Sequence, residues 1–354
     1  MNPLNNHMNN FQQKLTTELA RITGLHNVVL TSSCRNALYL VLASLSLKRD
    51  DEVIIQSFIC GSLPLAIEKA GGKVVSVEVN LDTLNLDAEI VKQKITPQTK
   101  AVIFVHTYGN PTGIDEIQQL CKQRGIILIE DIAHALGARY NHQLAGTFGD
   151  YAVYSFTKQM VNIGGGALLT NNSIEKIVQI KKTLKQSPLL FDYAKRLIAS
   201  LYETRAFFLS KLIIDFVHRQ KNLQLTQSLS SHFTCSELES FLAWRQLHSL
   251  PGLIQRRKKN YLFLSRAGAQ MQTISPLAES SYNYLSFIFP APRARDRALT
   301  KNFLFLPPWG GSPISEKLIF VPNNPFFTKK KLLHFHQTTT TFIKKKNSPS
   351  IAIK

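Results

Sequence analysis

In the stretch SFTKQM, Ser155 stands three residues ahead of Lys158, and Gly164, Gly165 and Gly166 follow a few positions later. A lysine amine is ordinarily protonated, with a pKa of about 10.4, and attacks a carbonyl only where desolvation or a neighbouring cation lowers that value. Three glycines in a row let the backbone turn tightly or come close to a bound group, because no Cβ intervenes. Taken alone, the stretch reads more simply as a loop with a solvated lysine. Other residues could join it. Glu130 and Asp131 precede Ile132-Ala133-His134, and a carboxylate there either holds a cationic nitrogen or serves as a structural cap. Thr31, Ser32 and Ser33 stand before a helical pattern that opens at Cys34 and Arg35. Hydroxyls and free N–H groups at a helix start suit a phosphate, although a plain N-cap is the commoner use of such residues. His106 and Tyr108 lie in HTYGNP.

These residues share a position in the pattern. Seven short β-branched runs, at 27–33, 52–57, 73–79, 101–107, 126–131, 151–155 and 167–172, alternate with helical segments such as NALYLVLASL, LPLAIEKAG and DEIQQLCKQRG. That alternation predicts a mostly parallel sheet covered by helices. Ligands of such sheets sit at the carboxyl ends of the strands, where Ser33, His106, Asp131 and Ser155 fall. Beyond residue 172 the pattern is helical, including SELESFLAWRQLHSLPGLIQRRKKNYLFL, and NYLSFIFPA then reads as a strand. After about Thr300 the text turns to PPWGG, KKK and TTTT without an amphipathic period.

Composition narrows the classes. A chain of 354 residues, 44% hydrophobic and 18% charged, can bury a large core. The net charge of +19 invites an anionic partner, but nine lysines against one acid, Glu316, in the last 54 residues supply eight of the nineteen surplus charges. No aromatic-basic interleaving or nucleic-acid motif accompanies them, so nucleic acid is not expected as a partner. Cys34, Cys60, Cys121 and Cys235 form no CxxC pair and have no histidine at ligand spacing, which argues against zinc and disulfides and fits a reducing, cytoplasmic setting. The first residues lack an apolar signal core, and AFFLSKLIIDFV at 206–217 is too short and too charged to span a bilayer. It reads as an amphipathic helix, and no transmembrane segment is expected.

A phosphate-binding helix start, a strand-end acid, a serine and a lysine are the parts that hold pyridoxal phosphate: the lysine forms a Schiff base, and the acid keeps the ring nitrogen protonated. Here the sequence resembles the DegT/DnrJ/StrS family of aminotransferases. The resemblance is carried in order by SSCRNALYL, DEVIIQSFICGSLPLAIEKAGGKVVSVEVNLDTLNLD, TPQTKAVIFVHTYGNPTGIDEI, GIILIEDIAHALGARYNHQLAGTFGDYAVYSFTK and GGGALLTNN. It implies a fold type I α/β transferase: a large domain with a mostly parallel sheet over residues 1–240, and a smaller C-terminal α+β domain over 241–354. It also implies a homodimer with active sites at the subunit interface. The implied activity moves an amino group from an amino acid such as glutamate to a nucleotide-linked ketosugar, as in amino-sugar and surface-polysaccharide synthesis. By position, Lys158 looks like the Schiff-base lysine, Asp131 like the partner of the ring nitrogen and His134 like the residue near the ring oxygen. Ser155 resembles the phosphate-binding serine. Ser33, Cys34 and Arg35 fall at the phosphate-binding helix start, Cys34 and Arg35 where the family commonly has Gly-Thr. Cys60 stands where many members place an aromatic ring. Family dehydratases typically carry histidine in place of the lysine, so Lys158 points to transfer.

The sequence also departs from the family. The serine-to-lysine spacing is two residues shorter than usual, which leaves a non-sugar ketone open as substrate. The family's Glu-Gly-Gly is Gly164-Gly165-Gly166, and in HFTCSEL the phosphate-reaching asparagine and arginine are His232 and Thr234. Beyond Leu299 nothing aligns: the tail either diverges freely or is read from a shifted frame. A competing reading is therefore a non-catalytic relative, degraded in its C-terminal domain, that binds nucleic acid or acidic surfaces through its lysine-rich end.

Overall fold

The computed structural model describes residues 10–160, 162–184, 233–266, 271–288 and 318–322, with Leu332, Leu333 and Gln337. The expected helix at 206–217 and most of the lysine-rich tail lie outside these residues, as does His232.

All seven β-branched runs become strands of one sheet: β1 (Asn27–Thr31), β2 (Glu52–Gln56), β3 (Lys73–Val77), β4 (Thr99–Val105), β5 (Ile127–Asp131), β8 (Tyr151–Ser155) and β9 (Gly166–Thr170), in the order β1-β9-β8-β5-β4-β2-β3. Only β9 runs against its neighbours; the remaining pairs among β8, β5, β4, β2 and β3 are parallel. Short strands β6 (Arg139–Tyr140) and β7 (Gln143–Leu144) form a ribbon between β5 and β8.

Side chains alternate faces along a strand, and each face has its own core. One face buries Val29, Val53, Ile103, Ile129 and Val153 against α2 (Cys34–Ser44), α3 (Ser62–Lys69) and α6 (Glu175–Thr183). The other buries Val28, Leu30, Ala152 and Tyr154 against α1 (Asn10–Thr23) and α7 (Glu237–Leu247). Further along that face, Ile54, Val102 and Phe104 pack under α4 (Ala88–Lys94) and α5 (Ile114–Arg124). The result is a three-layer α/β/α sandwich.

Later elements return to this body. Ser236 and Glu239 close a capping box at the start of α7, the arrangement that satisfies the first free amides of a helix. The Glu237 carboxylate accepts the backbone N–H groups of Phe11 and Gln12 at 3.2 and 3.5 Å, tying α1 to α7. Ser236 and Glu237 of the HFTCSEL segment thus serve helix ends within this chain. α8 (Leu250–Arg266) follows, then β10 (Ala278–Glu279) pairs with β6, and β11 (Tyr284–Ile288) pairs with β12 (Leu318–Pro322) in antiparallel register. No helix among the described residues is long and apolar enough to cross a membrane.

Candidate active site

The two adjacent acids at the end of β5 point to opposite faces. Glu130, wholly buried, accepts N–H bonds from Phe148, Gly149 and Gly146, each at 2.7 Å, and lies 2.8 Å from His106 Nε2. Its oxygens are occupied by the turn it holds, so Glu130 and His106 are structural. Asp131 faces α2 instead and is 6% exposed. Its Oδ1 accepts the Ala133 N–H at 2.9 Å and lies 3.8 Å from the Cys34 thiol. Burial pushes the Asp131 carboxyl up, opposed by the Ala133 N–H, His106, the Cys34 thiol and Lys158. Burial, with Asp131 beside it, holds the Cys34 thiol well above its usual range, so it stays protonated and donates. Both bonds of Asp131 fall on Oδ1, which leaves Oδ2 for a ligand.

The helix start and Ser155 meet across the glycines. Gly166 pairs with Thr31 of β1 on one side and with Ser155 of β8 on the other, while Gly165 bridges Ser33. A Cβ on Gly166 would lie 2.5 Å from Cys34 N and 2.5 Å from Ser33 C. Only a bare backbone lets β9 pass under the first turn of α2, and that passage puts the start of α2 beside Ser155. Ser33 is the N-cap and accepts the Asn36 N–H at 3.2 Å, so its hydroxyl already has the capping role. Ser155 Oγ lies 3.1 Å from Thr157 Oγ1. Thr157 is a second hydroxyl that sequence reasoning missed, although it stands between the two residues singled out. Arg35 is largely buried, its pKa lowered by that burial, and it senses both Cys60 and Cys34. Cys60 accepts the Ser62 hydroxyl at 3.3 Å at the entry to α3.

Lys158 sits in the turn after β8, and its charge is felt at Asp131, His134 and Cys34. His134 is 5% exposed, with the Tyr108 ring stacked at 6.1 Å and the Tyr284 ring edge-on at 4.9 Å. Burial, then Lys158, pulls the His134 pKa down to about 3, so the imidazole is neutral. Gln159 clamps the Lys158 turn to the His134 loop: Leu136 N–H donates to its Oε1 at 2.8 Å, and its Nε2 donates to Leu136 O at 3.0 Å. Tyr108, Gln159 and Tyr284 were not assigned roles from the sequence, because their partners come from other loops.

This set fits pyridoxal phosphate. An amine stands near a buried carboxylate with one oxygen left for a ligand, a neutral imidazole lies alongside, and a helix start and two hydroxyls flank the glycines that open β9. No cluster of metal-ligating side chains occurs among the described residues. A cavity of about 510 Å³ between α4 and α5, lined by Asp87, Lys92 and Glu116 among others, contains none of these residues.

Comparison with known proteins decides the lineage. The model of the DegT/DnrJ/EryC1/StrS aminotransferase family matches residues 5–302. The chain belongs to this family. A dTDP-3-amino-3,4,6-trideoxy-alpha-D-glucose transaminase of Micromonospora megalomicea subsp. nigra is 38% identical over 163 residues, 45% of this chain and 44% of that protein. A GDP-4-keto-6-deoxy-D-mannose 3-dehydratase of Escherichia coli O55:H7 is 31% identical over 173 residues, 47% of this chain and 45% of that protein. The matches thus span somewhat under half the length of these relatives. The fold is shared with the aminotransferase TlmJ from Streptoalloteichus hindustanus, at a TM-score of 0.74 and 21% identity over 95% of this chain and 92% of that one. The fold type I architecture expected from the sequence is therefore present. The family model ends short of β12, in keeping with the loss of resemblance beyond Leu299.

Proposed function

We propose that this member of the family is a pyridoxal-phosphate aminotransferase that moves an amino group from an amino acid, glutamate first among the candidates, to the carbonyl of a nucleotide-linked ketosugar. The observation that carries the reading is the meeting of Lys158, Asp131 and His134 at the ends of β5 and β8, where the charge of Lys158 acts on both partners. Lys158 would hold the cofactor's aldehyde and, once displaced, take the proton from the donor's α-carbon. Asp131 Oδ2 would keep the ring nitrogen protonated, with the Cys34 thiol and Ala133 N–H fixing the other oxygen. His134, neutral and wedged between Tyr108 and Tyr284, would lie along the ring. Ser155, Ser33, Cys34 and Arg35 would form the phosphate end, and Cys60 the edge beside Arg35. The bound cofactor supplies the electron sink for cleaving the α-C–H bond.

A relative that is a dehydratase raises the question of which branch applies. Lys158 favours transfer, because an amine at that position can return the proton. In this reading the protein acts in the cytoplasm as a homodimer on nucleotide-sugar and amino-acid substrates. The test is the visible spectrum of the protein supplied with pyridoxal phosphate, before and after borohydride, beside Lys158→Ala. The expected result is a visible band that borohydride converts to a covalent adduct on Lys158 and that the variant lacks. A folded wild-type protein with no such band would overturn the reading in favour of a non-catalytic relative.

A further inference from the structure

We propose that residues 280–284 form a positioning strap for the site, with Asn283 as the residue that fixes the backbone of Lys158; this rests on the role given to Lys158 above. The strap, Ser280-Ser281-Tyr282-Asn283-Tyr284, is distant in sequence from the strand ends, yet it engages three of them. After β4, Gly109 O accepts the Ser280 hydroxyl at 2.9 Å and the Ser281 N–H at 3.0 Å. After β5, the carbonyl of His134 accepts the Ser281 hydroxyl. After β8, the carbonyl of Lys158 accepts Asn283 Nδ2 at 3.2 Å. Tyr284 then sets its ring against that of His134.

These contacts matter because Lys158 stands in a turn rather than a strand ladder, so long-range bonds must define where its backbone lies. Ser281 is 0% and Asn283 3% exposed, so water does not compete for them. The strap is also tightly fitted. Tyr282 adopts a φ of 52°, a left-handed conformation that a bulky residue keeps only where its surroundings over-determine it. A Cβ on Gly109 would lie 2.0 Å from Ser281 Oγ. A reacting group displaced by about 1 Å can lose on the order of a hundredfold in rate, so a strap that sets two neighbouring backbones is a positioning device for catalysis.

The test compares the wild type with Asn283→Ala and Asn283→Ser, the serine being too short to reach the carbonyl of Lys158. In cofactor-free protein, mass spectrometry follows the pH dependence of acetylation at Lys158. In loaded protein, the pH midpoint of the visible band, kcat and the donor KM are measured, with thermal melting as the control for folding. The strap predicts a shift of about half a pH unit or more in both midpoints and a fall of about tenfold or more in kcat, with KM within about threefold. If the alanine variant does not fold, the serine variant carries the comparison. Midpoints and kcat per folded molecule equal to wild type would overturn the strap, even with a lowered melting temperature. A wild type that borohydride cannot trap at Lys158 would instead remove the underlying role, and the strap with it.

Discussion

His134 is neutral in the folded chain because protonating it would place a cation in a buried site beside Lys158. This has a consequence for stability whose sign is fixed. The unfolded imidazole titrates near about 6.5, whereas the folded one titrates at about 3. Between those values the unfolded chain binds a proton that the folded chain does not, so stability is lost as pH falls through that window. At pH 5 the difference amounts to about 2 kcal/mol, from roughly 1.5 units at 1.36 kcal/mol each. His134→Gln removes this titration. Urea unfolding of the cofactor-free proteins at pH 7.5 and pH 5 is expected to show the wild type losing about 2 kcal/mol more than the variant. The buried Asp131 titrates in both proteins and drops out of the comparison to first order. Equal losses would mean that His134 is accessible to solvent and charged.

At the scale of elements, the decisive fit is between β9 and the start of α2. Gly166→Ala would drive a methyl group into backbone atoms of Ser33 and Cys34 at 2.5 Å and of Tyr154 at 2.7 Å, none of which can rotate away. The expected cost is about 1–3 kcal/mol of stability, together with a weaker hold on pyridoxal phosphate of about tenfold or more, since the helix start and Ser155 would be pushed apart. Urea unfolding and a cofactor titration would measure the two effects; unchanged affinity would mean that this junction does not form the phosphate end. Much of this was legible in the sequence. The seven strands and their helices follow from β-branched runs and glycine stops, and strand-end position picks out Asp131, Ser155 and Ser33 without any contact map. The different fates of Glu130 and Asp131 were not, since deciding them requires knowing which face of the sheet meets α2. Asn283, Tyr284 and Gln159 were invisible for a related reason. Their roles depend on loops brought together by the sheet, and neither periodicity nor a local motif marks them.

At the scale of the whole molecule, the site depends on chain that the family model does not cover. β12 begins at Leu318, beyond the last matched residue, 302. Leu318 is 0% exposed and packs with Phe58, Val79, Leu84 and Tyr108, with Tyr284 alongside. Tyr108 and Tyr284 are the two rings against His134, so one aliphatic side chain from the atypical tail supports the wall of the site. Leu318→Ala would leave a cavity there, at a cost of about 2–5 kcal/mol. The cavity would also loosen both rings, so the affinity for pyridoxal phosphate should fall along with stability. A second substitution separates the two effects: Ile177→Ala, on α6 in the core of the opposite face, should cost comparable stability with little change in affinity. Urea unfolding and cofactor titration of both variants make the comparison. If Leu318→Ala left stability unchanged, the tail would not pack against the site, and the unfamiliar sequence beyond residue 302 would be an appendage rather than part of the wall beside His134.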